Sequence, residues 1–356
     1  VSSKPIKVMH VHFWGDVRLQ AGSVEKVIAA FALMAETDIT VSVACPGEGE
    51  SEQIGSTRFH FFREDRLKNR IANKLLGLNL FTFSRLANLI ERERPDLLHV
   101  HNRHALLPAL LARLSYRPRV LCHYHRKFGT FVVPAEADRL IAVSGAVRDA
   151  LEEAVHPVMP IDVVYNPLPP GLTAVPSSTR SADLRPRLLF GGGRQHNKGF
   201  FELEAALADG LAEQFDVVLC GPAFDAYVPA FPARVLGLLP SAEFLAELRA
   251  ADVVAMPSHH EGFSILALEA LGMGKVLVAT LGGGLGEIFD EHNAFIHPVG
   301  DAVGLAKCLT KALGLFQADQ SACLAARVLA AKETAARFSP AAINKTLAGV
   351  YREAMR

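Results

Sequence analysis

The stretch Met256–Glu287, MPSHHEGFSILALEALGMGKVLVATLGGGLGE, decides how this chain is read. An apolar run from Ala251 leads into it and stops at Pro257, so a short buried strand ends there. A polar loop, Ser258-His259-His260, follows. Then EGFSILALEAL places apolar residues at 263, 265, 266, 268 and 271, the spacing of a helix, with Ser264 or Glu261 positioned to cap it. Lys275 to Ala279 reads as the next strand, and Gly282-Gly283-Gly284-Leu285-Gly286 as a flexible loop running into Glu287. Both loops then fall at the carboxyl ends of parallel strands, where open α/β sheets hold their ligands. Glu261 and Glu269 stand about two turns apart, so at ~1.5 Å per residue they can grip groups on the order of 10 Å apart. That separation suits two hydroxyl-bearing parts of one ligand better than a catalytic pair. Glycines let backbone amides approach a ligand, and amides at helix starts favour anions. A solvated helix carrying two acids is the plain alternative.

These residues carry a resemblance. Glu261 and Glu269, within EGFSILALEALGMG, resemble the Glu-seven-Glu motif of the retaining GT-B glycosyltransferases of family 4 (glycosyl transferases group 1). GGLGE resembles that family's second Gly-Gly-x-x-Glu loop. Lys275 stands where the family often has proline, a departure expected to matter little. The resemblance implies an α/β chain with the GT-B fold, two Rossmann-like domains whose parallel sheets face a central cleft. Residues 1–168 would form the acceptor-side domain and 169–338 the nucleotide-sugar domain, with a last helix over 339–356 packing back on the first.

Composition fits two well-filled domains: 356 residues, 50% hydrophobic, mean hydropathy +0.21. The five cysteines (45, 122, 220, 308, 323) are scattered and form no C-x-x-C, which reads as a reduced, cytoplasmic protein. No apolar run reaches membrane-spanning length, and the first residues lack a signal peptide's architecture. Zero formal net charge argues against a nucleic-acid binder. The charge is uneven, however: 58–127 hold 15 Lys/Arg against 5 Asp/Glu. Within 58–94, cations alternate with leucines and phenylalanines. This pattern is either a basic amphipathic surface for anionic lipid headgroups or an ordinary solvated face over a core. Relatives that work at membranes tip it to the first, making the chain peripheral on the inner face of the plasma membrane.

Ile6 to Phe13 reads as an opening strand, a helix follows from Ala21 to Glu36, and Ile39 to Ala44 is the next strand, a parallel α/β unit. Gly22 at the helix start could receive a phosphate or be a plain N-cap. The family's Gly-Gly-x-x-Glu is here Ala21-Gly22-Ser23-Val24-Glu25, which weakens that contact while keeping Gly22 a donor-binding candidate. Three strand-like pieces end in His-x-His (10/12, 99/101, 123/125), each pair on one strand face. A metal cluster is the sharper reading, but no carboxylate or cysteine joins them in ligand spacing, so a polar cleft rim is expected. DLLHVHN and LCHYHRKFG resemble family segments. By that match His125 stands beside donor sugar and acceptor, and His101, Asn102 and Arg126 contact the acceptor.

The prolines and Ser/Thr tract of 166–186 mark the linker. Beyond it a strand at Arg187 to Phe190 runs into GGGRQHNKGF. Gly192 and Gly193 let amides approach a diphosphate while Arg194 and Lys198 neutralise it, or the segment is a glycine turn with surface cations. It is neither a Walker nor a Rossmann sequence. It resembles the family's GR-x-x-x-KG, which makes Arg194 and Lys198 catalytic diphosphate ligands. By the same resemblance Glu261 is catalytic and holds sugar hydroxyls with the amides of Gly262 and Phe263, Glu269 takes the ribose, and Ser264, Gly283 and Gly284 complete the donor site.

The expected reaction is therefore retaining transfer of a hexose-type sugar from a UDP- or GDP-linked donor to an envelope glycan or lipid-linked acceptor such as lipopolysaccharide core. Neither cofactor nor metal is implied. A UDP-sugar epimerase of the same fold and a non-catalytic two-domain sugar-nucleotide-binding protein stay open as alternatives. A glycosidase using Glu261 as nucleophile needs a second carboxylate about 5 Å away, which sequence does not reveal.

Overall fold

Short runs of β-branched and aliphatic residues, each followed by a helix, build two sheets in the computed structural model. It describes residues 4–13, 15–20, 22–62, 80–126, 131–155, 159–169, 172, 185–316 and 320–356. The chain divides into two units, Val1–Pro167 with Pro340–Arg356, and Leu168–Ser339.

The first unit holds β1 (Ile6–His12), β2 (Ile39–Pro46), β3 (Ser51–Ile54), β4 (Thr57–Phe62), β5 (Leu97–His101), β6 (Arg119–Tyr124), β7 (Arg139–Ala142) and β8 (Ile161–Val163). Their order is β3-β4-β2-β1-β5-β6-β7-β8, parallel except for β3, which pairs antiparallel with β4. Every residue of β5 is buried, as expected for a parallel strand covered on both faces. The chain leaves β1 for β2 on one side and returns to β5 on the other. This order reversal opens a crevice at the carboxyl ends of β1 and β5, beside His12 and His101.

Two helices, Ser23–Phe31 and the C-terminal Pro340–Ala354, meet over the sheet, where Asn344 Nδ2 donates to the Ala30 carbonyl at 3.1 Å. The Arg352 guanidinium adds bonds to Asp38 and Glu36. Leu347 and Tyr351 of the last helix are fully buried. A third helix, Gly145–Val155, starts after buried Ser144, whose hydroxyl accepts the Val147 amide as a structural cap.

The basic amphipathic segment read over 58–94 is not one element. Residues 57–62 form β4, with four of its last five side chains buried (Phe59, His60, Phe61, Phe62), because a strand inside the sheet is covered on both faces. Residues 63–79 lie outside the described residues, and a helix spans Leu80–Glu93. Most of the proline-rich linker also lies outside them. Among the described residues no helix is long and apolar enough to cross a membrane.

The second unit holds β9 (Arg187–Phe190), β10 (Asp216–Cys220), β11 (Arg234–Gly237), β12 (Val253–Met256), β13 (Val276–Ala279) and β14 (Ala294–Ile296), in the order β11-β10-β9-β12-β13-β14. All pairings are parallel. Phe190, Phe200 and Phe215 anchor the core on one side of this sheet. The helix Ile265–Gly272 is buried almost all round, which explains its lack of a polar face. Ser264 is its N-cap, accepting the Ala267 amide at 3.3 Å; Glu261 is not.

Lys275, where the family often has proline, is built into the fold. It is 8% exposed and its ammonium donates to the Arg249 carbonyl at 2.6 Å, satisfying an orphan at the end of the helix Ser241–Ala250. All five cysteines are free, four of them buried.

Candidate active site

In the second unit the strand order reverses between β9 and β12, so the loops after these two strands flank one crevice. The first loop carries Arg194 and Lys198, the second Ser258 and Glu261. Lys198 Nζ meets Glu261 Oε1 at 2.6 Å, and the Ser258 hydroxyl donates to the same oxygen at 3.1 Å. The pair was separated by 63 residues in sequence, and the crossover topology brings it together. Beside it, His259 Nε2 lies 2.8 Å from Glu202 Oε1, tying the second loop to the helix Phe200–Ala206 that follows the first.

Gly199 and Gly283 set this geometry. Gly199 has φ +71°, and a Cβ there would lie 2.0 Å from the Pro257 carbonyl oxygen. Gly283 has φ +67°, and its Cβ would lie 2.3 Å from the Glu261 carbonyl oxygen. Both loops therefore pack backbone to backbone where no side chain fits. The carbonyl of Gly282 accepts the Glu261 amide, and the Glu261 carbonyl accepts the Gly284 amide at 2.9 Å. Glu261 is thus held by the glycine loop from behind.

These contacts sort the expected donor-binding amides. Gly284 gives its amide to Glu261, and Gly193 gives its amide to the Cys220 carbonyl at 3.0 Å, so neither remains for a phosphate. Those of Gly192 and Gly283 have no acceptor among the described residues. The Ser264 hydroxyl is engaged in its cap. Phe263 is buried with its ring 5.2 Å from that of Phe338. Gly262 adjoins Glu261. Glu269 is 1% exposed and lies inside the helix layer. Arg194 is exposed and outside the Lys198–Glu261 pair, its guanidinium centred 5.4 Å from the Phe201 ring and 5.3 Å from Tyr227.

In the first unit, Gly22 is the N-cap of the helix Ser23–Phe31, and the Glu25 carboxylate folds back on it. Burial opposes ionisation of Glu25, but His12, at 3.1 Å, and the amides of Glu25 and Gly22 outweigh it and hold its pKa below the usual range. This is one half of a capping box. Gly22 thus stands at the N-cap position, one of the two places expected for it.

The three His-x-His pairs share one sheet face across β1, β5 and β6, with Phe31 stacked below. His10, His99, His101 and His123 are fully buried, not at a rim. The expected acceptor contact from His101 is corrected accordingly: one of its nitrogens meets His10 and the other His125. His125 is half-buried at the end of the row. Burial pushes the pKa of His10 and of His125 down to about 3, and those of His99, His101 and His123 well below the ordinary value, so all five are neutral near pH 7. Asn102 follows β5 with φ +62°, and its buried Nδ2 has no partner among the described residues. Arg126 is exposed.

Among the described residues three sets offer ligand atoms within 4.8 Å of one another: His10/His99/His101, His101/His123/His125 and His196/Glu202/His259. In the first two, imidazole nitrogens already hydrogen-bond to one another. The third does combine histidines with a carboxylate, which the strand pairs do not.

Residues 24–171 match the model of Glycosyltransferase Family 4, and 185–314 that of Glycosyl transferases group 1. The chain is 39% identical over 108 residues to a D-inositol 3-phosphate glycosyltransferase of Saccharomonospora viridis, covering 30% of this chain and 24% of that one. It is 25% identical over 248 residues to a putative teichuronic acid biosynthesis glycosyltransferase of Bacillus subtilis, covering 61% of each. The chain thus spans about a quarter and under two thirds of these relatives. Among solved structures, sucrose-phosphate synthase from Thermosynechococcus elongatus superposes with TM-score 0.76 at 18% identity, over 98% of both chains. Anabaena HepE in complex with UDP-glucose gives 0.71 at 18%, over 98% of this chain and 100% of that one. Both share the two-domain parallel α/β architecture, the GT-B fold.

Proposed function

We propose that this chain, which belongs to the family 4 glycosyltransferases of GT-B fold, transfers a hexose-type sugar with retained configuration from a UDP- or GDP-linked donor to an anionic glycan or lipid-linked acceptor of the cell envelope. The observation that carries the reading is the Lys198–Glu261 pair at the strand-order reversal of the second unit, with the Gly192 and Gly283 amides beside it.

Each group then has a task. Lys198 and those two amides stabilise the charge that develops on the departing diphosphate, an electrostatic contribution needing no protein nucleophile. Arg194, on its flexible stem, leaves the rings of Phe201 and Tyr227 for the outer phosphate. Glu261, oriented by Lys198 and Ser258, holds sugar hydroxyls, and Glu269 receives the ribose hydroxyls at the floor of the site. The acceptor hydroxyl attacks the anomeric carbon on the face the diphosphate leaves, and its proton passes to the diphosphate. His125 donates a hydrogen bond to the sugar. Asn102, with its unpartnered amide, and Arg126 meet the acceptor. Positive charge comes from side chains, so no resident metal is invoked.

The excess of cations over 58–127 and the match to a teichuronic acid enzyme support an anionic, membrane-borne acceptor. Incubating the protein with UDP- and GDP-hexoses and extracted envelope lipids tests this. One donor should be consumed only when acceptor is present, and proton NMR should give a product of the donor's own anomeric configuration. Donor conversion without acceptor would favour an epimerase, and an inverted product would refute the mechanism.

A further inference from the structure

Five hydrogen bonds join six side chains of the first unit in single file. His125 Nε2 meets His101 Nδ1 at 3.0 Å, and His101 Nε2 meets His10 Nδ1 at 2.9 Å. His10 Nε2 meets the Tyr351 hydroxyl at 3.1 Å, that hydroxyl meets His99 Nδ1 at 2.7 Å, and His99 Nε2 meets His123 Nδ1 at 3.1 Å. Each neutral imidazole carries one N–H and the phenol one O–H, so six protons serve five bonds. One proton is therefore left over, at an end of the row or on the Tyr351 hydroxyl.

Besides an arrangement in which the Tyr351 oxygen accepts from both His10 and His99 and leaves its own fully buried O–H without an acceptor among the described residues, two arrangements fill every bond once. In one, all five imidazoles carry the proton on Nδ1, and His125 presents Nδ1–H. In the other, all five carry it on Nε2, and the outward N–H belongs to His123. The environment distinguishes them. His123 Nε2 is buried and has no hydrogen-bond partner, and a buried orphan N–H is rarer and costlier than an orphan acceptor. The other end, His125, is half-buried and reachable.

We infer that the chain His123–His99–Tyr351–His10–His101–His125 fixes His125 as the Nδ1–H tautomer, a permanent hydrogen-bond donor, with His101 as its positioning residue. His125 consequently cannot act as a base at Nδ1, and its Nε2 is occupied by the His101 proton. For the reaction this means a donor aimed at a sugar or phosphate oxygen, which rests on the placement of His125 proposed above. The tautomer itself does not rest on it.

Nitrogen-15 NMR of histidine-labelled protein reads the protonated nitrogen of each ring directly. The expected spectrum shows His10, His99, His101, His123 and His125 all protonated on Nδ1. An Nε2–H on any one of the five would overturn the chain, and this measurement needs no variant. His101→Asn keeps an N–H donor near the position of His101 Nδ1, whereas His101→Leu removes it. The Leu variant should leave His125 in mixed tautomers and lower kcat about tenfold with the donor KM within twofold, and the Asn variant should restore both. Tyr351→Phe should free only the far pair, giving mixed tautomers at His99 and His123 while His125 keeps its proton. A single Nδ1–H tautomer at His125 in His101→Leu would remove the positioning role. The expected tautomers in a protein that transfers no sugar would refute the functional reading and leave the chain standing.

Discussion

Gly199 shows how one residue without a side chain positions the chemistry. It follows Lys198 directly, adopts a left-handed conformation and abuts the Pro257 carbonyl. Gly199→Ala would place a methyl group in contact with backbone on a strained φ, at about 1–3 kcal/mol for the conformation alone. The melting temperature should fall by about 2 °C or more, and donor affinity should fall with it as Lys198 shifts. An unchanged calorimetric trace would show that the two loops are not clamped there. Lys198 and Glu261 were legible as a site because each lies in a motif with spaced glycines. That they form one ion pair was not legible, since the pairing is made by the crossover between β9 and β12. The partner of Lys275 was not legible either, because its acceptor, the Arg249 carbonyl, closes a different helix.

At the scale of elements, periodicity served where one side of an element meets one neighbour. β1, β9 and β12 fall within two residues of their expected limits. It failed over 58–62, where cations beside aromatics suggested an amphipathic surface and the residues instead pair as β4 beside β2. Strand pairing is non-local, and nothing in those residues names the partner. The histidine row was half legible. Alternation put each His-x-His pair on one face, but adjacency of three strands makes them a cluster, and Tyr351 joins from a helix about 250 residues away in sequence without any local signal. Both alternatives for Gly22 were legible, but the carboxylate of Glu25 folded against it was not.

For the whole molecule, the buried imidazoles tie stability to pH. In the unfolded chain they titrate near 6.5, whereas in the folded unit His10 and His125 titrate only at about 3 and the other three are also depressed. Between these values the unfolded state binds more protons. Their contribution is therefore fully present above pH 6.5 and is lost as pH falls toward 3, at up to ~1.4 kcal/mol per pH unit for each ring. The urea midpoint should drop clearly between pH 7.5 and 5.5, a window in which few carboxylates titrate. A midpoint independent of pH there would mean that the row is hydrated or already charged.

The central claim is that the crevice between the loops after β9 and β12 holds a nucleoside-diphosphate sugar through Lys198 and Glu261. Calorimetric titration of the intact protein with UDP, GDP and ADP, and then with the matching sugar nucleotides, tests it most directly. One nucleoside diphosphate should bind selectively. Lys198→Ala should weaken it about 10- to 100-fold, the equivalent of a charge-assisted hydrogen bond worth about 1.5–3 kcal/mol. Glu261→Gln should instead leave the bare diphosphate almost unaffected and weaken only the sugar-bearing form. Absence of heat with every nucleotide, or equal affinity in Lys198→Ala, would contradict the account.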